Sequence, residues 1–262
     1  MKTILLQSFR RHDVPTWIDA CMASVRAWAA AAGWAYEFMD DAFLALPPAW
    51  ARRRCADNLY ALTDLGRLIW AGRMLAAGWE RVVWADADIL IFGATGPQLE
   101  AGRGHGFARE LFLHVDDAGV STPLHGLNNA LMFFEHGDPM PGALLAASYD
   151  SLRALPPGPV PRTALGPALL TRIGATAGLH VIEGVGLFGV ALMQQIAQGG
   201  GALTREYLRH SPTPPVAANL CHFQRNATPL DLLPLFDQLY ADALLRLCQT
   251  RGAVLAGDSA SV

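Results

Sequence analysis

The sequence contains a single lysine, Lys2, among its twenty basic residues, and all the others are arginine. Mechanisms that need an internal lysine, such as a P-loop or a Schiff base with pyridoxal phosphate, are therefore excluded. Charged residues make up only 16% of the chain, and the formal net charge is −3. Without an excess of basic residues to neutralise a phosphate backbone, we expect no nucleic-acid partner.

Cysteines and long apolar runs are also few. The four cysteines stand at positions 21, 55, 221 and 248, and no two have the spacing of a zinc knuckle. The apolar start of the chain is too short for a secretory signal. The longest apolar stretches, at 27–35 and 185–193, fall short of the roughly 18–20 residues that a membrane span needs. We expect a cytoplasmic protein, with peripheral association at the inner face of the membrane left open.

Apolar residues make up 52% of the chain, which is enough for one large core. In the first half, apolar strand-like runs alternate with helical patterns. The pattern predicts strands at 3–7, 36–39 and 81–85, helices at about 17–32 and 56–77, and later strands at 107–115 and 129–134. This order predicts an α/β fold of Rossmann type. We expect one domain over residues 1–252 and a disordered tail at 253–262.

The triplet Asp86-Ala87-Asp88 lies inside a hydrophobic segment, between Val82–Ala85 and Ile89–Phe92. If the segment stays extended, both carboxylates point to the same side, where burial without a partner costs several kcal/mol. A Mg²⁺ or Mn²⁺ ion removes that penalty, because hard cations prefer oxygen ligands and bridge phosphates. We therefore expect Asp86 and Asp88 to hold a metal and, through it, a departing nucleoside diphosphate. The alternative is a strand end with solvated acids.

Several short motifs resemble those of glycosyltransferases with the GT-A fold. They are the first strand Ile4-Leu5-Leu6-Gln7 with Val14-Pro15-Thr16-Trp17, the acidic turn Tyr36–Asp41, Thr63-Asp64-Leu65-Gly66-Arg67 about twenty residues before the DXD triplet, and the Gly-Pro segment Leu165–Thr171. The likeness is to the DXD-containing sugar-binding family, which includes initiating α-mannosyltransferases and α-1,4-galactosyltransferases. The run Gly78–Trp84 is more similar to the glycogenin-like and lipopolysaccharide-galactosyltransferase family.

This resemblance implies a single GT-A domain with a mixed, mostly parallel sheet flanked by helices. It implies a metal-dependent, retaining enzyme that moves a hexose from a UDP- or GDP-linked sugar to a glycan or glycolipid, in bacterial glycan assembly. The metal ligands would be Asp86, Asp88 and the late histidine His222. Asp88, Arg67 and Asn129 would serve catalysis, and the donor would contact Gln7, Ser8, Phe9, Asp64, Arg67, Asp86, Ala87, Asp88, Asn128, Gly166 and Pro167.

Retention is also favoured by a scarcity of acids in the later half of the chain. An inverting enzyme needs a carboxylate base beside the acceptor hydroxyl. The main candidates are Asp138, Asp150 and Glu183, and none of them lies in a recognisable base motif. In a retaining reaction the departing diphosphate can take the proton instead. We therefore expect an α-linked product from an α-linked donor.

Two other functions remain open. One is a non-catalytic protein of the same fold that binds a sugar nucleotide or a glycan. The other is an NAD(P)-dependent oxidoreductase, because Gly184-Val185-Gly186-Leu187-Phe188-Gly189 is a literal GxGxxG between a predicted strand and a predicted helix. The chain after this motif is too short for the rest of a dinucleotide-binding domain. We prefer a glycine-rich loop near the acceptor.

Overall fold

The computed structural model describes residues 1–116, 118–162 and 164–257. The strands are β1 (Thr3–Ser8), β2 (Ala35–Met39), β3 (Arg81–Ala85), β4 (Ile89–Ile91), β5 (His105–Val115), β6 (Ser121–Glu135), β7 (Val181–Ile182), β8 (Val185–Leu187) and β9 (Ala217–Asn219). The helices are α1 (Thr16–Ala31), α2 (Ala49–Arg54), α3 (Leu59–Ala76), α4 (Met140–Ala154), α5 (Pro167–Ala177), α6 (Val190–Ala197), α7 (Ala202–His210), α8 (Phe223–Asn226) and α9 (Leu233–Thr250).

In the described ranges the central sheet has six strands in the order β2-β1-β3-β6-β5-β7. Strand β1 pairs in parallel with β2 and β3, and β7 pairs in parallel with β5, whereas β6 runs antiparallel to both of its neighbours. Helix α1 packs Val25 against Leu5 and Val83 on one face, and α3 packs Leu68 with Ile4 on the other. The predicted mixed, mostly parallel α/β sheet flanked by helices is confirmed.

A second, smaller sheet joins distant parts of the chain. Strand β9 lies between β4, to which it is antiparallel, and β8, to which it is parallel. The chain leaves the central sheet after Ala85, and a turn closed by the bond from Ile89 N to Asp86 O (3.1 Å) redirects it into β4. The DXD triplet therefore lies where the two sheets meet.

Helix α3 begins three residues later than its hydrophobic pattern predicts. The side chain of Asn58 accepts a hydrogen bond from Ala61 N at 3.1 Å and so caps the helix at Leu59. Such a cap satisfies a backbone N–H that has no partner inside the helix. The resulting helix presents Asp64 and Arg67 toward β3 and β6.

The end of the chain corrects one expectation. Residues Ala253–Ala256 form a short 3₁₀ helix in which Val254 and Leu255 are buried, in a cluster with Phe92 and Leu247. The predicted disordered tail is therefore wrong for residues 253–257, because these apolar side chains complete a core, and residues 258–262 lie outside the described part. The single domain stays a prediction. No described helix has the length and hydropathy of a membrane-crossing segment.

Candidate active site

A cavity of about 600 Å³ opens where β1 and β3 end and the two sheets meet. Its size is within the range typical of small-molecule sites. The cavity brings together most of the residues predicted from the sequence. They are Ser8, Phe9, Asp64, Arg67, Asp86, Ala87, Asp88, Asn128, Asn129, Pro167 and His222.

The two aspartates of the DXD triplet occupy the turn between β3 and β4, so the expected extended segment is wrong at this point. Asp86 Oδ1 accepts a hydrogen bond from Trp84 Nε1 at 2.6 Å. Asp88 accepts from Asn219 Nδ2 at 2.7 Å and from the backbone N of His222 at 2.8 Å. The turn aims both carboxylates into the cavity while anchoring each to a different sheet.

Burial sets the charge of this pair. Desolvation raises the pKa of Asp86 to about 7; Arg67 opposes this rise and the neighbouring Asp88 adds to it. Desolvation also raises the pKa of Asp88, against hydrogen bonds that stabilise the charged form. Two ionised carboxylates are therefore unfavourable here unless a cation joins them.

Arg67 lies below the cavity, with its side chain only 7% exposed. Its guanidinium is 3.5 Å from Asp64 Oδ1 and 3.4 Å from Asp86 Oδ1, and it donates to the carbonyl of Asn129 at 2.9 Å. Most of its donors are thus directed at the protein. Arg67 therefore holds Asp64 and Asp86 in place, and its expected role in binding donor oxygens stays a prediction.

His222 reaches the cavity because Cys221 adopts a left-handed backbone conformation, with a φ of 53°. Its ring packs against Phe9 and Trp17, at centroid distances of 5.3 and 5.8 Å. Burial lowers the pKa of His222 to about 4, so the imidazole is neutral at pH 7. Nε2 is buried and makes no hydrogen bond to any described residue. A neutral imidazole with a nitrogen left unbonded suits a metal ligand.

Across residues 1–116, 118–162 and 164–257, no three His, Cys, Asp or Glu side chains converge as a ready-made metal site. A protein that binds Mg²⁺ commonly supplies one or two carboxylates and leaves other positions to water and phosphate oxygens. Asp86 and Asp88 fit that pattern, with the orphaned His222 Nε2 bordering the same cavity.

Asn128 and Asn129, consecutive residues of β6, each hydrogen-bond a different carboxylate. Asn129 Nδ2 donates to Asp64 Oδ1 at 2.9 Å, and Asn128 Nδ2 donates to Glu110 Oε2 at 3.0 Å. Both residues line the cavity, so the two amides position two carboxylates along one wall.

Two predicted donor contacts lie elsewhere. Gln7 is fully buried outside the cavity lining, where its Nε2 donates to the carbonyl of Asp86 at 3.2 Å and its Oε1 accepts from Tyr36. Gly166 has a φ of +63°, and a Cβ there would lie 2.7 Å from Asp64 Oδ2. Strand alternation and the tight turn direct these two residues away from the cavity. Gln7 holds the backbone of Asp86, and Gly166 leaves room for the carboxylate of Asp64.

The sequence offers Arg109-Glu110 as a polar wall of the pocket or, alternatively, as an exposed pair, and it does not single out Glu110 as a candidate base. Glu110 lies on β5 and lines the cavity, and burial raises the pKa of its carboxyl group. The candidate bases predicted from the sequence lie outside the cavity lining: Asp138 contacts His105, Asp150 contacts Arg153, and Glu183 contacts Arg109. Glu110 is the single acid of β5 and faces the same side of the strand as Phe112, as the alternation of side chains along a strand indicates.

The GxGxxG segment does not have the form of a phosphate-binding loop. Its middle, Val185–Leu187, is strand β8, and Leu187 borders the cavity. A Cβ on Gly186 would lie 2.4 Å from the ring of Phe188, and one on Gly189 would lie 2.7 Å from Phe112. The glycines therefore permit close packing, and the expected loop is a buried strand.

No protein-family profile and no curated protein sequence matches the chain. The fold is similar to a glycosyltransferase involved in the glycosylation of the major capsid of PBCV-1, with 11% identity, a TM-score of 0.45 and coverage of 91% of this chain and 98% of that chain. It is similar to the galactosyltransferase LgtC in complex with donor and acceptor sugar analogs, with 10% identity, a TM-score of 0.46 and coverage of 92% and 95%. A likeness to A197 from STIV has 8% identity, a TM-score of 0.30 and coverage of 70% and 81%.

Proposed function

We propose that this chain is a metal-dependent, retaining glycosyltransferase that moves a hexose from a UDP- or GDP-linked sugar to a glycan or glycolipid. The observation that carries the proposal is the placement of Asp86 and Asp88 in one 600 Å³ cavity beside the unpartnered Nε2 of His222. The motif resemblance points to the same chemistry. Cavity size, acidic floor and amide-lined wall suit a sugar diphosphate accompanied by a divalent cation.

Asp86, Asp88 and His222 would hold Mn²⁺ or Mg²⁺. When bound, such an ion neutralises the charge that develops on a diphosphate leaving group. Ser8 ends β1 and Phe9 directly follows it, both line the cavity, and both would contact the nucleoside. Asp64 and Asn129 form a hydrogen-bonded pair at the wall, and their remaining polar atoms would bind sugar hydroxyls.

A protein that binds the sugar nucleotide without transferring the sugar is the second candidate. It is favoured by the internal bonding of Arg67, which leaves few donors for a reacting ligand. Turnover separates the two candidates, because glycosyltransferases often release sugar slowly to water without an acceptor.

The deciding experiment measures release of UDP or GDP from a panel of nucleotide sugars with Mn²⁺, with EDTA, and with the Asp86→Asn variant. We expect the unmodified protein to release UDP or GDP with Mn²⁺, and we expect only background release with EDTA or from the Asp86→Asn variant. Asp150→Asn is the control, since Asp150 is an exposed partner of Arg153. Equal release by Asp86→Asn and the unmodified protein would rule out the metal role, and tight binding without release would favour the binding protein.

We also propose that a glycolipid acceptor is reached by peripheral membrane association. Leucines before and at the start of α9 are exposed, with Leu230 at 84% and Leu235 at 69%. Exposed apolar side chains on one segment favour the membrane interface. Co-sedimentation with vesicles should fall in the Leu230→Ser/Leu235→Ser double variant, and unchanged sedimentation would argue against it.

A further inference from the structure

Arg162 lies at the mouth of the cavity, held between two aromatic rings. Its guanidinium carbon is 4.6 Å from the ring centre of Tyr60 and 4.2 Å from that of Phe223. Stacking fixes the plane of a guanidinium while leaving its N–H edge available for hydrogen bonds. The side chain is exposed and lines the cavity, so this edge is accessible to a ligand.

Among the described residues, Arg153 is the other arginine stacked on two rings, and it lies over Trp50 and Tyr149. Arg153 has an acidic partner, with a nitrogen 3.1 Å from Asp150 Oδ1, and it is outside the cavity lining. Arg162 differs on both counts: across the described residues no carboxylate oxygen lies within 4.0 Å of its guanidinium. Its positive charge is available to something that enters the cavity.

The neighbours of Arg162 fix the side of the cavity on which it lies. Tyr60 precedes Asp64 by one turn of α3, and Phe223 directly follows His222. The guanidinium therefore lies on the side of the cavity formed by α3, which carries Asp64, and by α8, which follows His222. Arg67, the other arginine among the described lining residues, is already shared between Asp64 and Asp86. Of these two lining arginines, Arg162 is the one whose charge no carboxylate neutralises, so it is available to an anion that enters the cavity.

We propose that Arg162 binds the diphosphate of the sugar donor, an inference that rests on the proposed function and deepens it. In the transfer step the bond between the sugar C1 and the diphosphate oxygen breaks, and its electron pair stays on that oxygen. The acceptor oxygen bonds to C1 and its proton passes to the departing diphosphate. The N–H edge of Arg162 stabilises the charge that this oxygen gains. The only lysine, Lys2, lies over Trp79 outside the cavity lining and cannot take this role.

The test uses inorganic pyrophosphate, which needs no knowledge of the base or sugar. Calorimetry measures its binding to the whole chain in the presence of Mn²⁺, and electron paramagnetic resonance measures Mn²⁺ alone. Arg162→Met keeps an apolar stem between the two rings and removes the charge. We expect it to weaken pyrophosphate binding by about tenfold or more, as for a lost charge-assisted hydrogen bond, and to leave Mn²⁺ binding unchanged. Arg153→Met is the matched control and should bind both as the unmodified protein does.

Each outcome is decisive. Pyrophosphate binding by Arg162→Met equal to that of the unmodified protein overturns the assignment, even if that variant no longer transfers the sugar. An equal loss in Arg153→Met also overturns it, since the effect would then follow from removing any stacked arginine. If the unmodified protein binds neither pyrophosphate nor UDP or GDP with Mn²⁺, the proposed function itself fails.

Discussion

At the scale of single residues, the positive charge of the buried Arg67 guanidinium compensates the negative charges of the site. It faces two carboxylates, Asp64 and Asp86, and both it and Asp64 are almost fully buried. Desolvation raises the pKa of Asp64, and Arg67 opposes that rise. Removing one member of this buried group leaves the charges of its partners without compensation.

Arg67→Met should therefore lower the free energy of unfolding by about 3–5 kcal/mol at pH 7. Adding Asp64→Asn should recover part of the loss, because it removes one of the uncompensated charges. Urea unfolding of the single and double variants measures both effects. A loss below about 1 kcal/mol, the size expected of an exposed pair, would contradict this account.

Glu110 bears on the stereochemistry of transfer. With an acid in the cavity, the scarcity of acids in the later half of the chain no longer argues for retention, which now rests on the motif resemblance. If the departing diphosphate takes the proton, Glu110→Gln should lower kcat less than about tenfold, whereas loss of a general base costs about 10²–10⁴-fold. NMR of the first-formed product should show an α linkage. A β linkage together with a loss above 100-fold would make Glu110 the base of an inverting enzyme.

At the scale of elements, two glycines of α3 serve different purposes. A Cβ on Gly66 would lie 2.7 Å from Cζ of Phe43, a ring that lines the cavity and stacks on Trp84. A Cβ on Gly72 would meet no atom within 4 Å. Gly66 is therefore required by packing, and Gly72 is not.

Gly66→Ala should destabilise the protein by about 1–2 kcal/mol, because the overpacking cost exceeds the gain in helix propensity. Gly72→Ala is the matched control in the same helix and should stabilise by about 0.5–1 kcal/mol. Thermal unfolding of both variants tests the pair. If both variants change the stability in the same direction, helix propensity and not the Phe43 contact determines the effect of Gly66→Ala.

Elements with a strong local pattern could be predicted from the sequence. Strand β3 is predicted with the bounds that the structure has, because the apolar run Val82–Ala85 is compact and Asp86 follows it directly. Strand β6 extends eight residues further toward its N-terminus than predicted, since pairing with β5 along a hairpin holds the polar segment 121–128 extended. The cap at Asn58 is a side-chain contact that hydrophobic periodicity does not report.

At the scale of the whole molecule, the last described segment closes the core that α9 and α6 build. Leu255 is 1% exposed, whereas Leu245 on α9 is 54% exposed. Leu255→Ala should cost about 2–4 kcal/mol of stability, and Leu245→Ala should stay within about 0.5 kcal/mol. Urea midpoints compare the two leucines. Equal midpoints would mean that the segment after Gly252 contributes nothing to the fold.

The site itself was only partly predictable. Asp86, Asp88 and His222 carry recognisable chemistry, and the structure places them at one cavity. The internal partners of Arg67 and the placement of Arg162 depend on elements brought together by folding, so no local spacing reveals them. Gln7 was misplaced because the sequence does not show which side of β1 faces the cavity.

The hydrogen bond from His222 N to Asp88 joins positions 134 residues apart in the chain. A ligand that contacts both the turn at Asp86–Asp88 and His222 would add a second link between the two ends of this span. A ligand bound to both segments stabilises the native state against opening motions that separate them. Occupancy of the cavity should then be visible as slower digestion by a protease, at cleavage points far from any residue that the ligand touches.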